Sequence, residues 1–269
     1  MTKQSVYTDC GEISYSKVGS GKPVVLLHGF AVDGNIWKYQ VDFLKDRFML
    51  IIPDIPGSGN SVLAKQDDVS IDDLADSLHQ LLLQANIQTC TIIGHSMGGY
   101  IALALAEKYP QFLNGIGLFH STAYADDEER KQTRRRGIDF IKKNGAHAFL
   151  QQAIPNLFTA QFRETQREKV SSLIEAAKQF SNESLIVYYQ AMMQRPDRKD
   201  VLKTFLKPIL FIMGEEDKTL NLQDTLTQSH QPWQSHVYIL KNASHMGMWE
   251  EEEKSNLILL SYLRQVNEN

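Results

Sequence analysis

The chain has 269 residues, of which 42% are hydrophobic and 22% charged, a balance that excludes collagen-like, disulfide-framework and wholly disordered classes. Lys and Arg number 28 against 32 Asp and Glu, so the formal net charge is −4. That is not the electrostatic footprint of a general nucleic-acid binder, and a small molecule is the expected partner. The two cysteines, Cys10 and Cys90, show no zinc spacing and suit a reducing compartment. The first residues lack a secretory apolar region, and no apolar stretch approaches the ~20 residues of a membrane-spanning helix. A soluble, cytoplasmic protein is expected, with no membrane partner and its oligomeric state left open.

In chain order, Ile13–Val18 alternates as a half-exposed edge strand should. Pro23–His28 is a continuous apolar run ending at Gly29, which predicts a strand buried on both faces, and Phe48–Pro53 is a second. Ser70-Ile71-Asp72-Asp73 resembles a capping box opening a helix through Gln84, with Leu74, Leu78, Leu81 and Leu82 on one face. Cys90–Gly94 is a third buried strand. Met97–Tyr109 follows as an Ala- and Leu-rich helix stopped by Pro110. Gly115–Phe119, Pro208–Met213 and Val237–Leu240 complete the strand-like runs. Strand–helix alternation with fully apolar strands predicts an α/β fold: a mostly parallel central sheet of about eight strands with helices on both faces.

Between residues 122 and 207 no strand-like run occurs. Asp126–Arg136 reads as a charged helix, with Thr159–Phe180 and Glu183–Gln194 as further helices. The Arg134-Arg135-Arg136 cluster could form an anion site, but a solvated helix face is the plainer expectation. The predicted organisation is therefore a core of residues 1–121 and 208–269 with a helical cap, 122–207, over one end of the sheet.

Gly94-His95-Ser96-Met97-Gly98 matches G-x-S-x-G between an apolar strand and a helix, the context this motif needs. Chance would supply about 0.07 such matches in a chain of this composition. A serine hydroxyl needs a base, and His245, on a loop just after the last strand, is the best placed of eight histidines; His120, closing a strand, is its one competitor. The base needs a carboxylate to fix its tautomer, and Glu215, Glu216 and Asp217 all follow a buried strand. Spacing does not choose among those three.

With these pieces assembled, the sequence resembles the α/β-hydrolase superfamily, in its cap-bearing branch of esterases, lactonases and carbon–carbon bond hydrolases. The matching residues are His28-Gly29-Phe30, Asp54–Ser61, Gly94–Gly99, Gly214–Asp217 and Ser244-His245, spread over the whole core. The resemblance implies Asp217 as the triad acid, and backbone N–H groups of Phe30 and Met97 as the oxyanion hole. One departure stands out: Ser58 occupies a place that usually carries a histidine, a change expected to be harmless.

Trp37, Tyr124 and Met246 are candidates for a substrate pocket, with Trp249 and Phe30, and Phe140, Phe149, Phe158 and Tyr188 for inward cap positions on grounds of size alone. The acidic run Glu250–Glu253 reads as a helix N-terminus rather than a metal site. No cofactor and no metal are expected. The expected function is hydrolysis of a small carboxylic ester through an acyl-enzyme on Ser96. Alternatives are a carbon–carbon bond hydrolase, a lactonase, a thioesterase, or a slow-turnover ligand receptor on the same fold.

Overall fold

The computed structural model describes residues 2–64 and 68–267; the remaining positions, including the outermost residues of the expected core segments, lie outside the described residues. Eight strands form one sheet: β1 (Thr2–Thr8), β2 (Gly11–Val18), β3 (Pro23–Leu27), β4 (Met49–Pro53), β5 (Cys90–His95), β6 (Leu113–Phe119), β7 (Ile209–Gly214) and β8 (Ser235–Leu240). Their spatial order is β1-β2-β4-β3-β5-β6-β7-β8. The β1–β2 and β2–β4 pairings are antiparallel, and every other pairing is parallel.

The helices are α1 (Lys38–Leu44), α2 (Ile71–Gln84), α3 (Met97–Lys108), α4 (Glu128–Asn144), α5 (Ala146–Ala153), α6 (Ala160–Thr165), α7 (Arg167–Ala176), α8 (Asn182–Gln194), α9 (Lys199–Thr204), α10 (Leu222–Ser229), α11 (Gly247–Glu250) and α12 (Glu252–Asn267). Every residue of the central strands β5 and β7 is buried, because helices cover both faces of a parallel sheet. The Ser70–Asp73 capping box opens α2, and Leu74, Leu78, Leu81 and Leu82 face the core as their spacing predicts. β1 has no counterpart in the expected strands. Its Lys3-Gln4-Ser5 run carries no apolar pattern, and pairing with β2, Val6 opposite Ile13, makes it a strand.

Helices α4 to α9 lie between β6 and β7. The single helix expected over Thr159–Phe180 is instead α6, α7 and a 3-10 turn at Ala177–Gln179, broken at Gln166 (φ −123°). Before the break Phe162 stacks on Phe158, and after it Val170 and Leu173 are buried. One straight helix would not bury all of them. No helix among the described residues is long and apolar enough to cross a membrane.

Candidate active site

Ser96 lies at the turn from β5 into α3 with φ 51° and ψ −117°, a backbone conformation that a residue with a β-carbon rarely adopts. Three hydrogen bonds hold it there. The Ser96 N–H donates to Phe119 O at 3.0 Å, while the Gly99 N–H and the Ser121 hydroxyl donate to Ser96 O at 2.9 and 2.8 Å. The flanking glycines are required by close approach: a methyl at Gly94 would lie 2.4 Å from Gly98 O, and one at Gly98 2.5 Å from His28 O. The turn leaves Ser96 half-buried on the wall of a cavity of about 650 Å³, a volume suited to a small molecule.

Asp217 and His245 line the same cavity, on the loops that follow β7 and β8. His245 Nδ1 donates to Asp217 Oδ2 at 2.8 Å, with both side chains 3% exposed. The N–H groups of Thr219 and Leu220 donate to Asp217 Oδ1. Glu215 and Glu216, which spacing could not separate from Asp217, point into solvent. Burial by itself would raise the Asp217 carboxyl, but His245 and His120 together hold it well below the usual carboxylate range.

His120, the competitor for the base, is a second histidine on the same carboxylate. Its Nδ1 lies 3.3 Å from Asp217 Oδ2 and 3.1 Å from Gly214 N, and the Gly247 N–H donates to its Nε2 at 3.1 Å. Burial lowers its pKa further than Asp217 raises it, so the ring is neutral. With Nε2 accepting, we assign the proton to Nδ1, facing Asp217.

Further contacts tie down the His245 loop, and sequence reasoning missed them. The His95 Nε2–H donates to the His245 carbonyl at 2.9 Å, and the His245 N–H donates to Leu157 O at 2.9 Å. Glu250 Oε2 accepts from the N–H groups of Ser244 and Met246, one on each side of His245, and Oε1 accepts from the Thr159 N–H. The acidic run therefore divides. Glu252 and Glu253 occupy the first turn of α12, where the macrodipole favours them, whereas Glu250 is a half-buried clamp.

His120, Asp217 and His245 place one potential ligand atom each within 4.8 Å of one another. The surroundings disfavour a cation there, because the Gly247 N–H already occupies His120 Nε2 and the proton assigned to Nδ1 faces Asp217, so the ring offers no free lone pair. The set fits a hydrogen-bonded carboxylate better than a metal centre.

The turn after β3 packs against the serine: a methyl at Gly29 would meet Ser96 Cβ at 3.0 Å. Phe30 follows on the cavity wall, its ring stacked on Tyr189 at 4.4 Å. Met97 is the first residue of α3, where a backbone N–H has no intrahelical acceptor. Below this turn His28 Nε2 accepts from the Ile55 N–H at 2.8 Å, and the Ser58 hydroxyl lies 2.9 Å from the same nitrogen. The departure at Ser58 is thus absorbed into a buried hydrogen-bonded turn.

Of the apolar residues expected near the site to line a pocket, Phe30 lines this cavity, and Trp37, Tyr124, Met246 and Trp249 do not. Trp37 is fully buried against Phe119 in the core, Met246 is fully buried beside the His245 loop, and Tyr124 faces the Lys199 ammonium. Phe140, Phe149, Phe158 and Tyr188 also lie off the wall, which is made by Leu150, Ile154, Leu157, Tyr189 and Met192. Three of the expected positions neighbour a true lining residue in sequence. One residue along a helix turns the side chain by about 100°, and size does not report that angle.

The sequence pattern of the alpha/beta hydrolase fold family matches residues 22–252. The chain belongs to the α/β-hydrolase family. This α/β-hydrolase is similar, at 27% identity, to the dihydrolipoyllysine-residue acetyltransferase component of an acetoin cleaving system from Pseudomonas putida, over 91% of this chain and 64% of that relative. Alignments with two further curated relatives cover 51% and 39% of their lengths, so the chain spans less than two thirds of each of the three. A thermophilic esterase from Thermogutta terrifontis, solved with malate bound, superposes with a TM-score of 0.92 at 27% identity, covering 99% of this chain and all of that one. An enol-lactonase from Burkholderia xenovorans, at 20% identity, shares the fold with a TM-score of 0.90 over 97% and 99% of the two chains.

Proposed function

We propose that this α/β-hydrolase is a serine hydrolase that cleaves a small carboxylic ester through an acyl-enzyme on Ser96. The observation that carries this reading is the 2.8 Å His245–Asp217 hydrogen bond on the wall that also presents Ser96 at its strained turn. The likeness to an esterase at 27% identity over the whole chain supports it further.

In this mechanism Asp217 holds the proton of His245 on Nδ1, leaving Nε2 free to accept the Ser96 hydroxyl proton. The Ser96 oxygen attacks the ester carbonyl, and the negative oxygen that develops is met by the N–H groups of Phe30 and Met97 and by the positive end of α3. His245 passes its proton to the departing alkoxide, and the C–O bond breaks. Water, deprotonated by the same nitrogen, then attacks the acyl carbon and releases the acid and Ser96. Residues 122–207 act as a cap that excludes water and shapes the substrate's apolar part.

A fluorophosphonate should label the wild type on Ser96 and leave Ser96→Ala unlabelled, and that substitution should cut turnover of an aryl ester by up to ~10⁶-fold. Retained labelling and turnover in Ser96→Ala would sink the reading.

A further inference from the structure

The Arg134-Arg135-Arg136 cluster does not lie on one solvated face. Arg135 and Arg136 are exposed, but Arg134 turns inward onto the cavity that holds Ser96. Its Nε and Nη2 both donate to Asp126, whose side chain is fully buried. The same carboxylate is paired with Arg195 at 2.9 Å, itself buried, capped by the carbonyls of Met192 and Tyr124, and stacked 4.0 Å over the Tyr100 ring. Burial alone would raise the Asp126 pKa, but the two guanidinium groups hold it below the usual range, so the carboxyl is ionised. Two permanent cations on one carboxylate leave a net charge of +1 in a low-dielectric setting.

Through Arg134 the surplus borders the cavity that Ser96 also lines. Arg195 is committed to Asp126 and to backbone carbonyls away from the cavity wall, whereas Arg134 lines the cavity while its Nε and Nη2 donate to Asp126. Tyr100 stands one helical turn beyond Ser96 and also lines the cavity. The Arg134 guanidinium lies 5.6 Å from the Tyr189 ring, which in turn stacks on Phe30. Asp127, Glu129, Arg130, Lys218 and Asp224 also line the cavity, but all are exposed or half-exposed and of mixed sign, so water screens them.

We propose that Arg134 anchors a carboxylate on the substrate, so that the preferred substrate is an ester whose acyl part ends in a carboxylate, a monoester of a short dicarboxylic acid. This rests on the serine-hydrolase reading for its chemistry and on Arg134 for its selectivity. A guanidinium suits the role, since its remaining N–H groups can donate to carboxylate oxygens while the others stay on Asp126.

The test compares aryl monoesters of glutaric acid with neutral aryl pentanoates. In the wild type kcat/KM for the anionic ester should exceed that for the neutral one about 10- to 100-fold, chiefly through KM. In Arg134→Gln that ratio should fall to about one, and Arg134→Lys should restore part of it. A wild-type ratio near or below one, or a ratio unchanged by Arg134→Gln, overturns the proposal. Should Arg134→Gln fail to fold, the wild type still decides. Glutarate should compete with the neutral ester and glutaramide should not, whereas equal or absent competition overturns it. If neither ester is turned over and Ser96 resists a fluorophosphonate, the acyl-enzyme reading has failed. Calorimetric binding of glutarate against glutaramide then tests the anion subsite separately.

Discussion

A carboxylate whose two oxygens accept from both histidine and backbone donors is held by more than its role as an acid requires. Asp217 is such a residue, and its neighbours explain why a cluster of three acids resolves into one. Glu215 and Glu216 emerge into water, while the chain turns so that the Thr219 and Leu220 N–H groups close on Asp217. Asp217→Asn should lower kcat about 10³- to 10⁴-fold, and Glu215→Gln or Glu216→Gln should change it less than twofold. Equal losses in an ester assay across the three would show that the acid is elsewhere. In the proposed mechanism His120, which lies off the cavity wall and 3.3 Å from Asp217 Oδ2, positions that carboxylate. His120→Ala should reduce kcat about 10- to 100-fold at nearly constant KM, because Asp217 then swings and takes His245 with it. A change confined to KM would contradict the positioning role.

At the scale of elements, the helices between β6 and β7 reach the loop that carries His245. The Thr159 N–H donates to Glu250, and the His245 N–H to Leu157 O, so the segment expected to cap the site also braces the His245 loop. At the far end Arg198 bridges Asp72 of α2 and Glu107 of α3, pinning the chain to the core as it returns to β7. Substitutions on the true wall should move specificity. Each methylene accommodated is worth ~0.8 kcal/mol, about fourfold in kcat/KM. Leu150→Trp and Ile154→Trp should therefore shorten the preferred acyl chain by one or two carbons, whereas Phe158→Trp, stacked away from the cavity on Phe162, should not. Activity across esters of graded length checks this, and a profile unchanged in all three variants would show that these helices do not contact substrate.

For the whole molecule, three fully buried histidines set the response to acid. Burial lowers the pKa of His28, His95 and His120 below the ordinary 6.5, against partial opposition from neighbouring carboxylates. Below about pH 6.5 the unfolded chain takes up protons that the folded chain refuses, so stability is full above that value and declines as pH falls. Asp217 acts in the same direction at lower pH. Its folded pKa is depressed, so its contribution is present above the unfolded value of 3.8 and is lost as pH falls through the folded one. The melting temperature should thus be flat above pH 7, begin to fall near pH 6.5, and drop further below pH 4. A melting temperature constant between pH 7 and pH 5 would show that these rings are not held neutral.

The amino-acid sequence by itself determined the central strands of the sheet, the serine turn and the family. Strands covered on both faces must be apolar throughout, so β3 to β7 announce themselves as runs. Gly94 and Gly98 are dictated by backbone contacts within one local turn, which makes their spacing readable. Features that depend on distant partners were not readable. β1 is a strand because β2 pairs with it, and Glu250 is a clamp because Thr159 and Ser244 approach it. Phe149 and Leu150 differ by one step around α5, and packing alone selects Leu150 for the wall. Arg134 reads like Arg135 and Arg136 along the chain. Only the tertiary structure brings Asp126, Arg195 and Tyr189 to it and turns a charge on a helix into a group on the wall of the cavity that Ser96 also lines, because the direction of a long side chain is set by what it meets in space.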